Sequence, residues 1–492
     1  MRILIDTNLF IPLERASPEL DKGMASLVRL AGEFGHQILL HPASIEDIER
    51  DHDSARKAIN LAKIEKYAIL ESPPEPTASD LEKLQLSESK ANDRVDNRIL
   101  FAIYRDAANI LVTEDIQIHR KATKLGLSAR VHYTQQAVEA LQRIYGRESV
   151  ALPNIVEVPL HSIDVALPFF DSLRGRYDFD KWFRDSARKG RKAWVYHAAG
   201  DELGAICVYK EENDEVVTDD GKRLDGRVLK LCTFKVGESV RGRKVGELLL
   251  KAAFRYASTN AIEHIYLTMG ADQTYLQALC GDFGFRHLGH GKGDEVYVKS
   301  HPKTPPAAAG ESALEYHIRF FPHFRAAGVG KYLVPIRPGY HQVLFSDHPE
   351  NQEQLSLFST GNAIKLAYLC HSSIGGIQPG DVLLFYRSGD IKGITSLGVV
   401  ESAAHLSDLD KIVQLVSKRT VYQISEIKKM AEKPTKVLLF RLATHLAAPV
   451  GHEVLVRDGG VKGSIQSIRR ITDECFEWLV GQAKLDNCLL TN

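Results

Sequence analysis

Along the first 147 residues, short apolar runs alternate with stretches of helical periodicity. RILID, HQILLH and NILVT are each brief, nearly all apolar and followed by a helical pattern. That rhythm predicts βαβ units and a parallel sheet buried on both faces. The pattern breaks at RIYGRESVALP (143–153), where helical spacing stops and NIVEVPL begins. From there AWVYHA, GAICVY, RVLKLCTFKV, HIYLTM and EVYVKS read as strands, with helical patterns at VGELLLKAAFRYA and TYLQALCGDF. A second break, SHPKTPPAAAGES (300–312), is rich in Pro, Ala and Gly and reads as a linker. Beyond it QPGDVLLFYRS, GITSLGVVESA and TKVLLFRLATHLAAPV are strands separated by turn residues, which predicts a small β-barrel with helices in its connections.

A chain of 492 residues is too long for one core, and these breaks divide it into 1–147, 150–301 and 313–492, with 302–312 between the last two. No apolar run approaches the roughly 20 residues that cross a bilayer, and no signal-peptide pattern opens the chain. The 63 basic and 63 acidic residues balance, which excludes a globally basic nucleic-acid coat. Six cysteines without a C-x-x-C pair argue against a zinc ribbon or a disulfide framework and for a reducing cytoplasm.

Candidate chemistry concentrates in the first segment. Asp6 ends the first apolar strand and Asp115 follows the third, where open α/β sheets gather their ligands. HPASIEDIERD carries Glu46 and Glu49 on one helix face, and NDRVDNRILFAIYRDA opens a helix with Asp93 and Asp96. Acids at helix starts offset the macrodipole and need no further role. Asp6 and Asp115, at strand ends, are not explained that way. Carboxylates converging on one spot repel unless a cation joins them, and oxygen-only ligands suit Mg²⁺ or Mn²⁺.

The ordered set LIDTN, S-x-E, D-x-x-I and LVTED resembles the PIN-domain ribonucleases over 1–147. The resemblance implies a parallel α/β/α sandwich and metal-dependent cleavage of single-stranded RNA. Asp6, Glu46, Asp96 and Asp115 would hold the ion and act in catalysis, with Thr7, Asn8, Asp93 and Thr113 in support. Glu49 is an alternative to Glu46, and Asp93 to Asp96.

In the middle segment, GESVRGRKVGELLLKAAFRYA is a basic, glycine-bearing loop running into a helix, which is a phosphate cradle in outline and a common solvated helix start in practice. Its setting between RVLKLCTFKV and HIYLTM, with FGF later, is similar to the GNAT acyltransferases over 150–301, a mixed-sheet α+β fold. The resemblance implies acetyl-CoA binding by Val236, Arg241, Gly242, Arg243, Lys244, Val245 and Gly246. Two positions depart from the family pattern: Lys244 stands where a glycine is usual, and Cys280 where a tyrosine acts as general acid. Residues 181–192 add six basic side chains beside Trp182 and Phe183, which suits either RNA contact or a solvated helix with core aromatics.

The third segment resembles PUA-like domains of the ASCH or EVE kind, which bind RNA or modified bases, with Tyr386, Arg387 and Arg337 as candidate pocket residues. Taken together these features lead to a metal-dependent endoribonuclease with a fused acetyl-CoA-binding domain and an RNA-recognition end acting on tRNA or mRNA. By analogy it is a toxin or defence nuclease held by an inhibitory protein, and a homodimer is compatible with the PIN-like part. The alternatives are an N-acetyltransferase acting on an RNA-linked or protein amine, and a non-enzymatic RNA-binding scaffold.

Overall fold

The computed structural model describes residues 1–6, 9, 18–50, 57, 67–88, 91–145, 155–175, 178–198, 202–237, 240, 244–307, 310–345, 348, 364–419, 422–485 and 490–491. Among them no helix is long and apolar enough to cross a membrane. The chain forms two compact units. One holds Met1–Val150 with Leu406–Lys433; the other holds Ala151–Val240, Lys244–His405 and Pro434–Asn492.

In the first unit, β1 (Arg2–Ile5), β2 (Gln37–Leu40), β3 (Ala68–Ile69), β4 (Ile110–Val112) and β5 (Val131–His132) form a sheet in the order β3-β2-β1-β4-β5. The pairings of β1 with β2 and β4, of β2 with β3, and of β4 with β5 are parallel. The apolar runs follow from burial on both faces. Ile3 and Ile5 pack with Leu27, Leu30 and Leu141 on one side, while Leu4 packs with Leu100, Ile103 and Ile118 on the other.

Residues 406–433 fall inside the expected third domain, yet by contact they belong here. The helix Leu409–Val416 buries Ile412, Val413 and Val416. Lys418 Nζ donates to the carbonyls of Ser128 (2.6 Å) and Val131 (2.5 Å), and Ser417 Oγ lies 3.2 Å from His132 Nε2. β5 is an edge strand, and the excursion covers it, which removes an exposed template for pairing.

The second unit begins with β6 (Ile155–Pro159), β7 (Lys192–His197), β8 (Leu203–Val216), β9 (Arg223–Val236), β10 (His264–Met269), β11 (Arg286–Gly291) and β12 (Asp294–Ser300). Their order is β11-β12-β10-β9-β8-β7-β6, antiparallel except for the β9–β10 pair. One face packs on the helix Val245–Thr259 through Leu249, Leu250, Ala253 and Phe254. The other packs on Phe170, Phe179 and Phe183.

After β13 (Phe324–Arg325) come β14 (Lys331–Ile336), β15 (Lys365–Cys370), β16 (Val382–Arg387), β17 (Gly393–Leu406), β18 (Thr435–Gly451), β19 (Arg469–Arg470) and β20 (Leu490–Thr491). Six of them form a mixed sheet in the order β15-β18-β17-β16-β14-β19. This sheet is joined to the β6–β12 part by buried polar contacts. Lys299, fully buried on β12, donates from Nζ to the carbonyls of Ile318 (3.0 Å) and Arg319 (2.7 Å), near the end of the helix Ala313–Phe320. Gly284, at φ +83°, lets that helix approach, since a Cβ there would stand 2.1 Å from the Ile318 carbonyl oxygen.

Candidate functional site

In the first unit the parallel sheet does bring acids to the carboxyl ends of its strands. Asp6 extends β1, its N–H bonding the Val112 carbonyl at 3.0 Å, and its side chain is buried. Thr113, fully buried just past β4, donates from Oγ1 to Asp6 Oδ2 at 2.7 Å and accepts the Asp115 N–H at 3.0 Å. It thus ties Asp6 to the backbone of Asp115. Asp115 caps the helix Ile116–Lys124, accepting the N–H groups of Gln117 and Ile118. Asp96, on the helix Ala91–Tyr104, has its carboxyl pushed up to about 6 by burial, with the charges of Asp115 and Asp93 adding to it and Lys121 opposing. Thr7 and Asn8 lie outside the described residues.

The expected metal set needs correction. Lys121 Nζ sits 3.2 Å from both Asp93 and Asp96, so a lysine ammonium offsets the charge of these two acids. Glu46 turns away to Arg98, 2.8 Å distant, which also pairs with Glu75 at 2.7 Å, and Glu49 is exposed. Among the described residues, no three of these acids bring ligand oxygens within 4.8 Å of one another. As the side chains stand, Asp6, Glu46, Asp96 and Asp115 are not gathered into one ligand set for Mg²⁺ or Mn²⁺.

The second unit carries a different feature, a wedge in its sheet. β9 and β10 pair from Val228↔His264 to Leu231↔Leu267 and then separate. β9 goes on with β8 as far as Val236↔Ala205, and β10 with β12 as far as Met269↔Glu295. The cause is local: a bulge at Cys232 shifts the β8–β9 register between Leu231 and Thr233, where the two strands part, and a bulge bends its strand. Thr233, the first residue past it, is buried, and its hydroxyl has no hydrogen-bond partner among the described residues. Lys235, two residues on, reaches Ser172 Oγ and lies over the Phe169 ring at 5.0 Å.

The chain leaving β9 enters the helix Val245–Thr259. Its N-cap, Lys244, adopts φ +57°, ψ +10°, the left-handed conformation for which glycine is best suited, and makes no side-chain cap. Among the described residues the N-cap thus gives the first-turn amides no side-chain cap, an arrangement that suits a phosphate. The Lys244 ammonium instead reaches the Lys365 carbonyl on β15 at 3.3 Å. Glu247, buried in the same turn, accepts the N–H groups of Ile364 (2.5 Å) and Lys365 (2.9 Å). Gly246 is a packing glycine: a Cβ there would come 2.8 Å from Leu279 and 3.7 Å from Val236. Arg241, Gly242 and Arg243 lie outside the described residues. Among the described residues, a helix start that its N-cap side chain leaves uncapped, the parting of β9 from β10 and a buried hydroxyl with no partner stand together here.

Cys280 does not fit the role of general acid. It is fully buried in the core, and burial pushes its thiol far above the ordinary range, so it is a poor proton donor. In the 181–192 stretch, Phe183 is buried and Trp182 packs beside it, leaving Lys181, Arg184, Arg188 and Lys189 exposed; the helix presents core aromatics and a solvated basic face. In the third segment Tyr386 is a core residue and buried Arg387 pairs with Asp390 at 2.5 Å, while Arg337 precedes the helix Pro338–Leu344.

Sequence reasoning passed over a buried polar cluster there: His341 Nε2 meets Thr395 Oγ1 at 2.7 Å, and Ser396 Oγ meets His445 Nδ1 at 2.8 Å. The signal was a histidine and hydroxyls on apolar elements. It also passed over Glu247, which resembled any acid in a first helical turn.

Residues 161–285 match the family model "Acetyltransferase (GNAT) family", so the chain carries a GNAT acetyltransferase domain in its middle segment. No curated protein matches. Among solved structures, the chain is similar to ASCH from Zymomonas mobilis (12% identity, TM-score 0.25, 31% of this chain and 94% of that one). It is also similar to a GNAT-family acetyltransferase of Staphylococcus aureus Mu50 (16%, 0.23, 30% and 98%). A third is a GNAT-family acetyltransferase from Elizabethkingia anophelis with acetyl-CoA bound (15%, 0.22, 30% and 98%).

Proposed function

We propose that this protein is an acetyl-CoA-dependent N-acetyltransferase whose acceptor is an RNA-linked or protein amine presented by the segments flanking the catalytic domain. The observation that carries the reading is the opening of β9 from β10 beyond Leu231 and Leu267, next to a helix whose N-cap, Lys244, is left-handed and makes no side-chain cap. Acetyl-CoA supplies the activated acyl group, as a thioester. The free edge of β9 offers main-chain groups that hold an extended ligand as an added strand would. The first-turn amides of Val245–Thr259 face the place of a diphosphate. The ties from Lys244 and Glu247 to the start of β15 link this helix to the third segment, which supports a role for that segment in presenting the acceptor.

Acetyl-CoA should raise the unfolding temperature of the wild type, and Lys244→Glu should weaken acetyl-CoA binding by about tenfold or more. A carboxylate at this N-cap suits the helix dipole, so the loss reports repulsion of the diphosphate rather than a damaged fold. Isothermal titration with acetyl-CoA reads it; unchanged affinity overturns the placement of the diphosphate at this helix.

A second reading, RNA cleavage by the first unit, is favoured by the gathering of Asp6, Asp96 and Asp115 at one end of a parallel sheet, and it requires Lys121 to leave Asp96. Mn²⁺-dependent cleavage of a total RNA pool that disappears in Asp6→Asn would support it. No cleavage by the wild type, or equal cleavage by Asp6→Asn, removes it.

A further inference from the structure

We infer that the β11–β12 hairpin is a binding site for a divalent transition-metal ion, held by His287, His290 and Glu295. One nitrogen of each imidazole and one carboxylate oxygen all lie within 4.8 Å of one another. His287 Nε2 is 2.5 Å from Glu295 Oε2, and His290 Nδ1 is 3.3 Å from Glu295 Oε1. Two imidazoles thus converge on one carboxylate, each from its own side.

The backbone explains the convergence. Residues three apart on a regular strand point to opposite faces. Here the pairing runs His287↔Tyr297, then Gly289↔Val296 and His290↔Glu295, so one extra residue is inserted between the histidines. That bulge returns His290 to the face of His287, and Glu295 and Tyr297, two apart on β12, share it. The bulge is held from both flanks. Lys222 Nζ donates to the Leu288 carbonyl at 2.9 Å, and the Asp219 N–H donates to the His290 carbonyl at 2.8 Å. The ligands are therefore aligned by the sheet and not by the ion.

The chemistry selects the ion. Two neutral imidazoles and one carboxylate suit Zn²⁺, Ni²⁺ or Cu²⁺ and not the hard, oxygen-seeking Mg²⁺. At metal–ligand lengths of about 2.0–2.2 Å, tetrahedral neighbours stand about 3.4 Å apart, so small side-chain rotations suffice. The two histidines are exposed, and three protein ligands leave at least one position open to solvent. An open position belongs to a site that takes a further ligand rather than to a closed structural one. The hairpin lies at the sheet edge, with β11 outermost and β12 between it and β10.

The test is isothermal titration of the chelator-stripped full-length chain with Zn²⁺ alone, repeated with Co²⁺ to read its visible absorption. The wild type should take up one equivalent more than His290→Ala, and the bands of bound Co²⁺ should diminish accordingly. Glu295→Gln should weaken Zn²⁺ binding by about tenfold or more, since a charged oxygen ligand is replaced by a neutral one. His290 is well exposed, so its truncation leaves the fold intact. The chain holds 19 histidines, so the comparison between wild type and variant is the measure and not total uptake. Equal stoichiometry and affinity in the wild type and both variants would overturn the site.

Discussion

Glu401→Ala should cost about 3–5 kcal/mol of stability, the typical penalty for breaking a buried ion pair by removing one partner. The Arg441 guanidinium on β18 is 2% exposed. Its Nε donates to Glu401 Oε1 on β17 at 2.6 Å, and another nitrogen reaches Asp282 Oδ1 at 3.2 Å. Asp282 closes the helix Thr274–Asp282 of the acetyltransferase domain and also pairs with Lys365 on β15. Without Glu401, a full positive charge stays buried with one half-exposed counterion. Replacing both partners by apolar residues, Arg441→Met with Glu401→Leu, should restore most of the loss, because the desolvation cost goes with the charges. Denaturant unfolding of the three proteins decides it. A cost below about 1 kcal/mol for Glu401→Ala would mean that the network does not hold the domain against the sheet.

The strands were legible because burial on both faces makes them continuous apolar runs, and the strand ends pointed to Asp6 and Asp115 for the same reason, while Asp96 stood out near the start of a helix. Their counterions were not. Arg98 follows Asp96 by two residues and Lys121 follows Asp115 by six, in plain view, yet only the fold sends one to Glu46 and the other to Asp96. Spacing along a helix constrains neighbours at i+3 and i+4 and says nothing about contacts between helices. Lys244 shows the reverse. The family pattern marked a glycine position, and the positive φ now gives its physical reason. The bulges at Cys232 and between His287 and His290 leave no periodic trace, and they create the wedge and the hairpin cluster. Residues 406–433 were assigned by chain order to the third domain, whereas their apolar face fits the first unit.

Asp96→Asn should make the protein more stable at pH 7, by about 2–3 kcal/mol, and leave it no more stable at pH 4. Asp96 is 16% exposed, and its carboxyl is raised to about 6, chiefly by burial and further by Asp115 and Asp93. Unfolded, the same group titrates near 3.9. Between those values the folded chain keeps a proton that the unfolded chain has released, so stability falls as pH rises through that window. The loss is complete above about pH 6, and two units correspond to roughly 3 kcal/mol. Asparagine does not ionise and escapes the penalty, while Lys121 keeps Asp93 as a partner.

The buried histidines act in the opposite sense. His36 and His41 are lowered to about 4, and His119 to about 3, mainly by burial. Their neutral folded forms lose stability as pH falls below about 6.5. That contribution is common to both proteins and cancels in the difference, so the informative quantity is variant minus wild type, measured by denaturant unfolding from pH 4 to pH 7. A variant less stable than the wild type at pH 7 would show that the Lys121 pair outweighs burial and that Asp96 is a structural residue. A variant more stable there would mark Asp96 as an acid kept at a cost to folding, which is how stability and function trade against each other at a working site.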